Sequence, residues 1–313
     1  MKTVFTNDPV EAAEFIKRGG IVAFPTETVY GLGANVFDEA AIEKIFEAKR
    51  RPADNPLIAH ISEITQIRQL TTGISTNAHA FIDVFFPGPL AIVLPKSDKV
   101  PLIATAGLDT IGVRMPRLHT AHEFLAACKT PVVAPSANLS GRPSPTTWKA
   151  VFEDLDGRID CILQGEATEI GLESTVVDCT RDEPMLLRAG AISLEQLRNI
   201  VSDTREFEMR ENEHPKSPGV RHKHYSPRAR VVLTATGEEA NIGRQAAFIG
   251  LEWPNQSYEF TRICHSVEEY AHSLFEFFRE CDRRGITKIS CETVQDTGIG
   301  TALMDRLTRA ADQ

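Results

Sequence analysis

The sequence predicts a mixed α/β (α+β) protein in two units: a larger one over residues 1–201, with a mixed sheet and flanking helices, and a smaller α/β one over 230–313, with a mainly parallel sheet. Three observations carry this. Through residue 201, short strand-like runs alternate with helical periods, and several are joined by turns too short to hide a crossover helix, so parallel and antiparallel pairs must mix. From residue 230 strand and helix alternate, as in a parallel sheet covered on both faces. Between them, residues 202–229 pass from acidic to basic and proline-punctuated, with almost no aliphatic side chains, and form a linker.

The elements follow in order. Val10, Ala13, Phe15 and Ile16 give Asp8–Arg18 a helical period that stops at Gly19-Gly20. Ile21–Phe24 is a strand that ends at Pro25, and Thr26, Glu27, Thr28 and Tyr30 form a polar loop before Gly31 and Gly33. Asp38 caps a helix through Ala41, Ile42, Ile45 and Phe46, which Pro52 ends. Strand Leu57–Ile61, helix Thr76–Phe86, strands Leu90–Leu94 and Ile111–Met115, helix His119–Cys128 and strand Pro131–Ala134 come next. Strands Ser174–Asp178 and Met185–Arg188 precede a helix opened by the capping box of Ser193 and Gln196. In the second unit, strands Arg230–Thr234, Ala246–Ile249 and Lys288–Cys291 alternate with helices Ser266–Arg284 and Thr301–Ala311.

Composition bounds the function. The 313 residues are 42% hydrophobic and 25% charged, as in an ordinary globular protein, and an excess of 43 acidic over 34 basic residues excludes a chain whose main work is coating nucleic acid. No apolar run is long enough for a membrane span and the amino terminus has no hydrophobic signal core, so the expectation is a cytoplasmic protein with no membrane partner. Six cysteines lie scattered without a CxxC pair and are expected as buried small hydrophobes.

Glycine-rich phosphate cradles are missing: there is no GxxxxGK[ST], and neither Gly31-Leu-Gly33 nor Gly298-Ile-Gly300 has the third glycine of GxGxxG. A bound nucleotide must therefore be held by side chains. Lys49, Arg50 and Arg51 suit phosphate, although by themselves they read first as cations placed at a helix C-terminus for the dipole. Residues 135–146 offer Ser136, Asn138, Ser140, Ser144 and Thr146 to a ligand, though an ordinary surface loop has the same composition. His60 is either a structural strand histidine or a ligand group. Arg114, between apolar neighbours, needs an anion, supplied by a protein carboxylate or by a substrate; Ser174 and Arg188 share that ambiguity. Tyr225, among four cations from Lys216 to Arg228, belongs to a solvated tether or to a flap that closes on an anion, whereas His222 and His224 lack further metal ligands nearby.

Seven segments taken together are more specific than any one: PTETVYGLG, KRRPADNPLIAH, GVRMP, APSANLSGRPSPT, GLESTVVD, LLRAGAI and SPGVRHKHYSP, in this order. They resemble the YrdC-like family in its long two-domain form, over nearly all of residues 5–229 and more weakly beyond. The resemblance implies a YrdC-like twisted mixed sheet and a nucleotidyltransferase that joins L-threonine, bicarbonate or carbon dioxide, and ATP with Mg2+ into threonylcarbamoyl-AMP and pyrophosphate. The product would serve a separate transferase that modifies the adenosine beside the anticodon of certain tRNAs, with at most a weak direct tRNA contact. Carried onto this chain, the family pattern puts phosphates and catalysis on Lys49, Arg51, Ser136 and Asn138, further ATP contacts on Asn55, Thr110, Ser144, Arg188 and Tyr225, and the threonine pocket on Thr28, His60, Arg114, Ala134 and Ser174. Mg2+ is expected on the ATP phosphates, with no protein ligand assigned.

That chemistry needs positioning and neutralisation of a leaving group more than a dedicated nucleophile. A non-catalytic YrdC-like module that binds RNA is the alternative; a zinc-containing carbamoyltransferase is disfavoured because paired CxxC motifs are absent.

Overall fold

A computed structural model describes residues 2–207, 225–235 and 245–311. Most of the expected flap, including Lys216, Arg221, His222, Lys223 and His224, lies outside the described residues.

The apolar runs of the larger unit form β1 (Val4–Thr6), β2 (Val22–Phe24), β3 (Gly31–Asn35), β4 (Ile58–His60), β5 (Leu90–Pro95), β6 (Thr110–Arg114), β7 (Val132–Ala134), β8 (Cys161–Leu163), β9 (Thr175–Asp178), β10 (Met185–Arg188) and β11 (Arg205–Glu206). They join in one sheet of order β1-β8-β2-β3-β7-β4-β6-β5-β9-β10-β11. The pairs β2 with β3, β3 with β7, β7 with β4, β6 with β5 and β9 with β10 are antiparallel and the rest parallel, the mixture that the short turns predict. The helices are α1 (Pro9–Lys17), α2 (Glu39–Lys49), α3 (Ile67–Leu70), α4 (Thr76–Phe85), α5 (His119–Cys128), α6 (Trp148–Leu155) and α7 (Leu194–Ile200). Asp8, Asp38, Ser75 and Ser193 cap α1, α2, α4 and α7 through their side-chain oxygens.

The smaller unit has β12 (Arg230–Thr234), β13 (Ala246–Gly250), β14 (Phe260–Ile263) and β15 (Lys288–Glu292) in a sheet of order β12-β15-β13-β14, parallel throughout, with α8 (Val267–Arg283) and α9 (Ile299–Ala311). On α8, Tyr270, Ala271, Leu274, Phe275, Phe278 and Cys281 recur at helical spacing and are buried. All six cysteines are free and buried, as expected of small hydrophobes. Among the described residues, no helix is long and apolar enough to cross a membrane.

Five strands (β1, β3, β8, β11 and β14) and two helices (α3 and α6) go beyond the sequence reading. Residues Gly31–Asn35, expected as loop, form β3 because glycine lets neighbours close in: a Cβ on Gly33 would lie 2.6 Å from Val132 Cγ1 and 3.0 Å from the Phe24 ring. The three-residue strands β1 and β8 are too short for a period to register, yet β8 pairs with both β1 and β2. β14 is four residues long, and α6, capped by Thr147, runs for only eight, with Ala150, Val151 and Leu155 buried at helical spacing. Beyond Val201, where the larger unit was expected to finish, the exposed Arg205–Glu206 still pair with Met185 and Leu186; backbone hydrogen bonds place them, which composition cannot report.

The two units meet closely. Gly171, at φ +82°, lets the α8 backbone approach: a Cβ there would sit 2.5 Å from His272 Cα and O. Arg279 of α8 forms a bidentate pair with Asp154 of α6 at 3.2 and 2.9 Å and also donates to the Pro143 carbonyl.

Candidate active site

One cleft gathers the loop after β2, the segment after α2, the ends of β6, β7 and β10, and Tyr225. It encloses about 710 Å³ of empty space, open mouth included. Of the residues that the family pattern singles out, Thr28, Arg51, His60, Arg114, Ala134, Ser136, Asn138, Ser144, Ser174, Arg188 and Tyr225 line it. Lys49, Asn55 and Thr110 do not.

On one side lies Arg114, at the end of β6 and 4% exposed. Its Nη2 is 2.8 Å from Glu27 Oε1, an ion pair too bent to count as a hydrogen bond, Nη1 donates to Thr28 Oγ1 (2.8 Å), and Nε donates to the Gly88 carbonyl. Of the two anions that a buried Arg114 could require, this structure supplies the protein carboxylate, Glu27. Thr28 Oγ1 also meets Thr26 Oγ1 at 2.8 Å, so the guanidinium and two hydroxyls form one network. His60 ends β4 beside it, its Nδ1 3.1 Å from the Ile58 carbonyl and its ring edge-on to Phe24. Burial, with the charge of Arg114, pushes the His60 pKa down to about 3, so the imidazole is neutral at physiological pH.

On the other side, α2 ends because Arg50 adopts the left-handed conformation (φ 52°), which turns Arg51 out of the helix into the cleft. Burial lowers the Arg51 pKa to about 10, which leaves it a cation near neutrality. Its Nη2 donates to the Asn55 carbonyl (3.3 Å), while Arg51 Nε and Asn55 Oδ1 are buried without a hydrogen-bond partner among the described residues. Arg188 grips Ser174 through the carbonyl (3.0 Å) and the hydroxyl (3.1 Å). Ser144 donates to Glu173, a cleft residue that sequence reasoning did not single out.

Lys49 stands behind this wall. It is 1% exposed, and its Nζ donates to the carbonyls of Ser136 and Asn138, both at 2.5 Å, with Asn138 Oδ1 at 3.5 Å. Burial, then the charge of Arg51, pulls its pKa below the ordinary lysine value, whereas the three oxygens around Nζ favour the ammonium. Asn138 is also occupied within the loop: Nδ2 donates to the Leu139 and Arg142 carbonyls, and Oδ1 accepts from Ser136 Oγ. Thr110, half-buried at the start of β6, pairs across to Pro95.

The family model for Sua5, YciO and YrdC proteins, described as Telomere recombination, matches residues 14–190, more than half of the chain. The chain belongs to the Sua5/YciO/YrdC family. A second model, described as the threonylcarbamoyl-AMP synthase C-terminal domain, matches residues 192–312, so this Sua5/YciO/YrdC member has the two-domain form. It is 42% identical over 316 residues to the threonylcarbamoyl-AMP synthase of Pyrococcus abyssi, covering 96% of this chain and 93% of that protein. The Bacillus subtilis threonylcarbamoyl-AMP synthase is 40% identical over 325 residues, covering 98% and 94%. The crystal structure of P. abyssi Sua5 complexed with L-threonine matches at TM-score 0.90 and 39% identity, covering 99% of this chain and 97% of that one. Escherichia coli YciO, at 22% identity and TM-score 0.52, shares the fold over 60% of this family member.

Residues that sequence reasoning missed did leave a signal. Arg279 and Arg306 both sit on the buried stripe of an amphipathic helix, where an arginine is out of pattern and needs an anion.

Proposed function

We propose that the chain is a nucleotidyltransferase that makes threonylcarbamoyl-AMP and pyrophosphate from L-threonine, carbon dioxide or bicarbonate, and ATP. One observation carries this: in a chain similar to threonylcarbamoyl-AMP synthases over nearly its whole length, a single cleft is lined both by the Arg114, Thr28 and His60 group and by the Arg51, Ser136 and Arg188 group. The first suits a small amino acid with carboxylate and hydroxyl. The second suits phosphates, since guanidinium forks and a hydroxyl can follow charge onto a leaving group.

In the reaction, the threonine amine bonds to carbon dioxide and loses a proton. A carbamate oxygen then attacks the α-phosphorus, and the bond to the pyrophosphate oxygen breaks with its electron pair leaving on pyrophosphate. Arg51 and Arg188 neutralise the developing charge, and Lys49 acts from behind by holding the Ser136–Asn138 backbone. A neutral His60 can hydrogen-bond a hydroxyl without attracting a second anion. Threonine over serine rests on one methyl, worth roughly 1–3 kcal/mol, so serine is a slow substrate. Magnesium enters on the ATP phosphates as part of the substrate, since Mg2+ keeps several waters and is held largely by phosphate oxygens. The product passes to a separate transferase for tRNA modification.

The purified full-length chain is expected to release pyrophosphate from ATP only when threonine and bicarbonate are both present. Release without threonine, or none at all, overturns the proposal; the latter leaves a non-catalytic module.

A further inference from the structure

We propose that Arg306 of α9, in the C-terminal domain, is a positioning residue of the nucleotide side of the cleft: it neutralises Glu173 and so keeps a bare carboxylate out of the space where phosphates are read. This rests on the reading of that cleft as an ATP site. Glu173 lines the cleft and is 6% exposed. One carboxylate oxygen accepts from Ser144, and the other is 2.9 Å from Arg306 Nε, its ion-pair partner among the described residues. Arg306 is wholly buried, donates through Nη2 to the Ala189 carbonyl (3.1 Å) and through Nη1 to Asp305, and lies 5.2 Å from the centroid of the Tyr225 ring.

A fully desolvated guanidinium on the inner stripe of a helix persists only where it meets an anion. A fastener between domains needs nothing more, and Arg279 on Asp154 is one, because Asp154 does not line the cleft. Glu173 does, and the electrostatic consequence differs. The charge of Arg188 also acts on Glu173. Without Arg306, the carboxylate would turn to Arg188 and repel an incoming polyphosphate, so Arg188 would be drawn from the ligand toward Glu173. Docking of the C-terminal domain and preparation of the nucleotide wall are then one interaction.

The test measures ATP and threonine binding separately, by calorimetry on the full-length chain. Arg306→Met is expected to weaken ATP roughly tenfold or more while threonine stays within about threefold, and adding Glu173→Gln to Arg306→Met is expected to recover most of the lost ATP affinity. Recovery on removing the opposite charge is an outcome that a purely structural role would not produce. An Arg306→Met variant that binds ATP like wild type, or a double variant no better than Arg306→Met, overturns the inference alone. If Arg306→Met fails to bind either ligand through misfolding, Arg306→Lys decides: it retains the cation, so an ATP loss of less than about threefold supports the charge role and a loss as large as tenfold overturns it. A wild-type chain that does not bind ATP at all overturns the cleft reading, and this inference with it.

Discussion

Lys49→Met offers the sharpest separation between contact and support. The family pattern assigns the lysine to phosphate, but here its ammonium is enclosed by Ser136 O and Asn138 O at 2.5 Å and by Asn138 Oδ1 at 3.5 Å. Methionine nearly preserves the volume, so little is lost in packing. What is lost is the donor: two backbone carbonyls remain in a site whose lysine is only 1% exposed, and each unsatisfied group costs about 1–3 kcal/mol. Relaxation of the 135–146 loop, and the relief of desolvating an ammonium, reduce that sum to roughly 2–4 kcal/mol, or a fall in Tm of about 3–6 °C for a chain of this size. Thermal unfolding and ATP titration on the same sample check it. The expected result is a joint loss, with stability and ATP affinity both falling while threonine binding changes little. If ATP binding disappears and Tm stays within about 1–2 °C of wild type, Lys49 serves the ligand directly and the supporting role is refuted.

Other expectations follow from the opposite side of the cleft. Arg114→Ala leaves Glu27 buried without its cation, which costs about 3–5 kcal/mol, and raises the threonine KM far more than the ATP KM; Glu27→Gln in the same chain should restore urea stability but not threonine use. Equal effects on the two KM values would make Arg114 structural. His60 gives a signed pH dependence. Its folded pKa of about 3 lies below the unfolded value near 6.5, so the unfolded chain takes up a proton first as pH falls, and stability is lost from pH 6.5 downward. Between pH 7.5 and 5 the wild type should lose about 2 kcal/mol more than His60→Gln in chemical denaturation, and equal losses would show that the imidazole is not held neutral. Activity should show no histidine step from His60 over the same interval.

Local rules already place most of the helices, because caps such as Asp8, Asp38 and Ser193 and stops such as Gly19-Gly20 act within a few residues of where they are written. The longer strands and the parallel second sheet are legible for the same reason: period and alternation are local. β3 is not, because what makes Gly31–Asn35 a strand is the closeness of Phe24 and Val132, one before it and one nearly a hundred residues later. The polar segments that line the cleft were visible as motifs, yet each had an ordinary surface or structural alternative. Residue type alone therefore determined that cations, hydroxyls and an apolar-flanked arginine recur in a known order. Only the tertiary structure decided which of them share a cleft, that Arg114 already holds Glu27, that Lys49 lies buried behind the loop, and that α9 brings Arg306 to Glu173. The physical reason is range: propensity and capping act over a few residues of chain, whereas the charge balance of a buried site is set by groups more than a hundred residues apart, brought together when the sheets and helices pack.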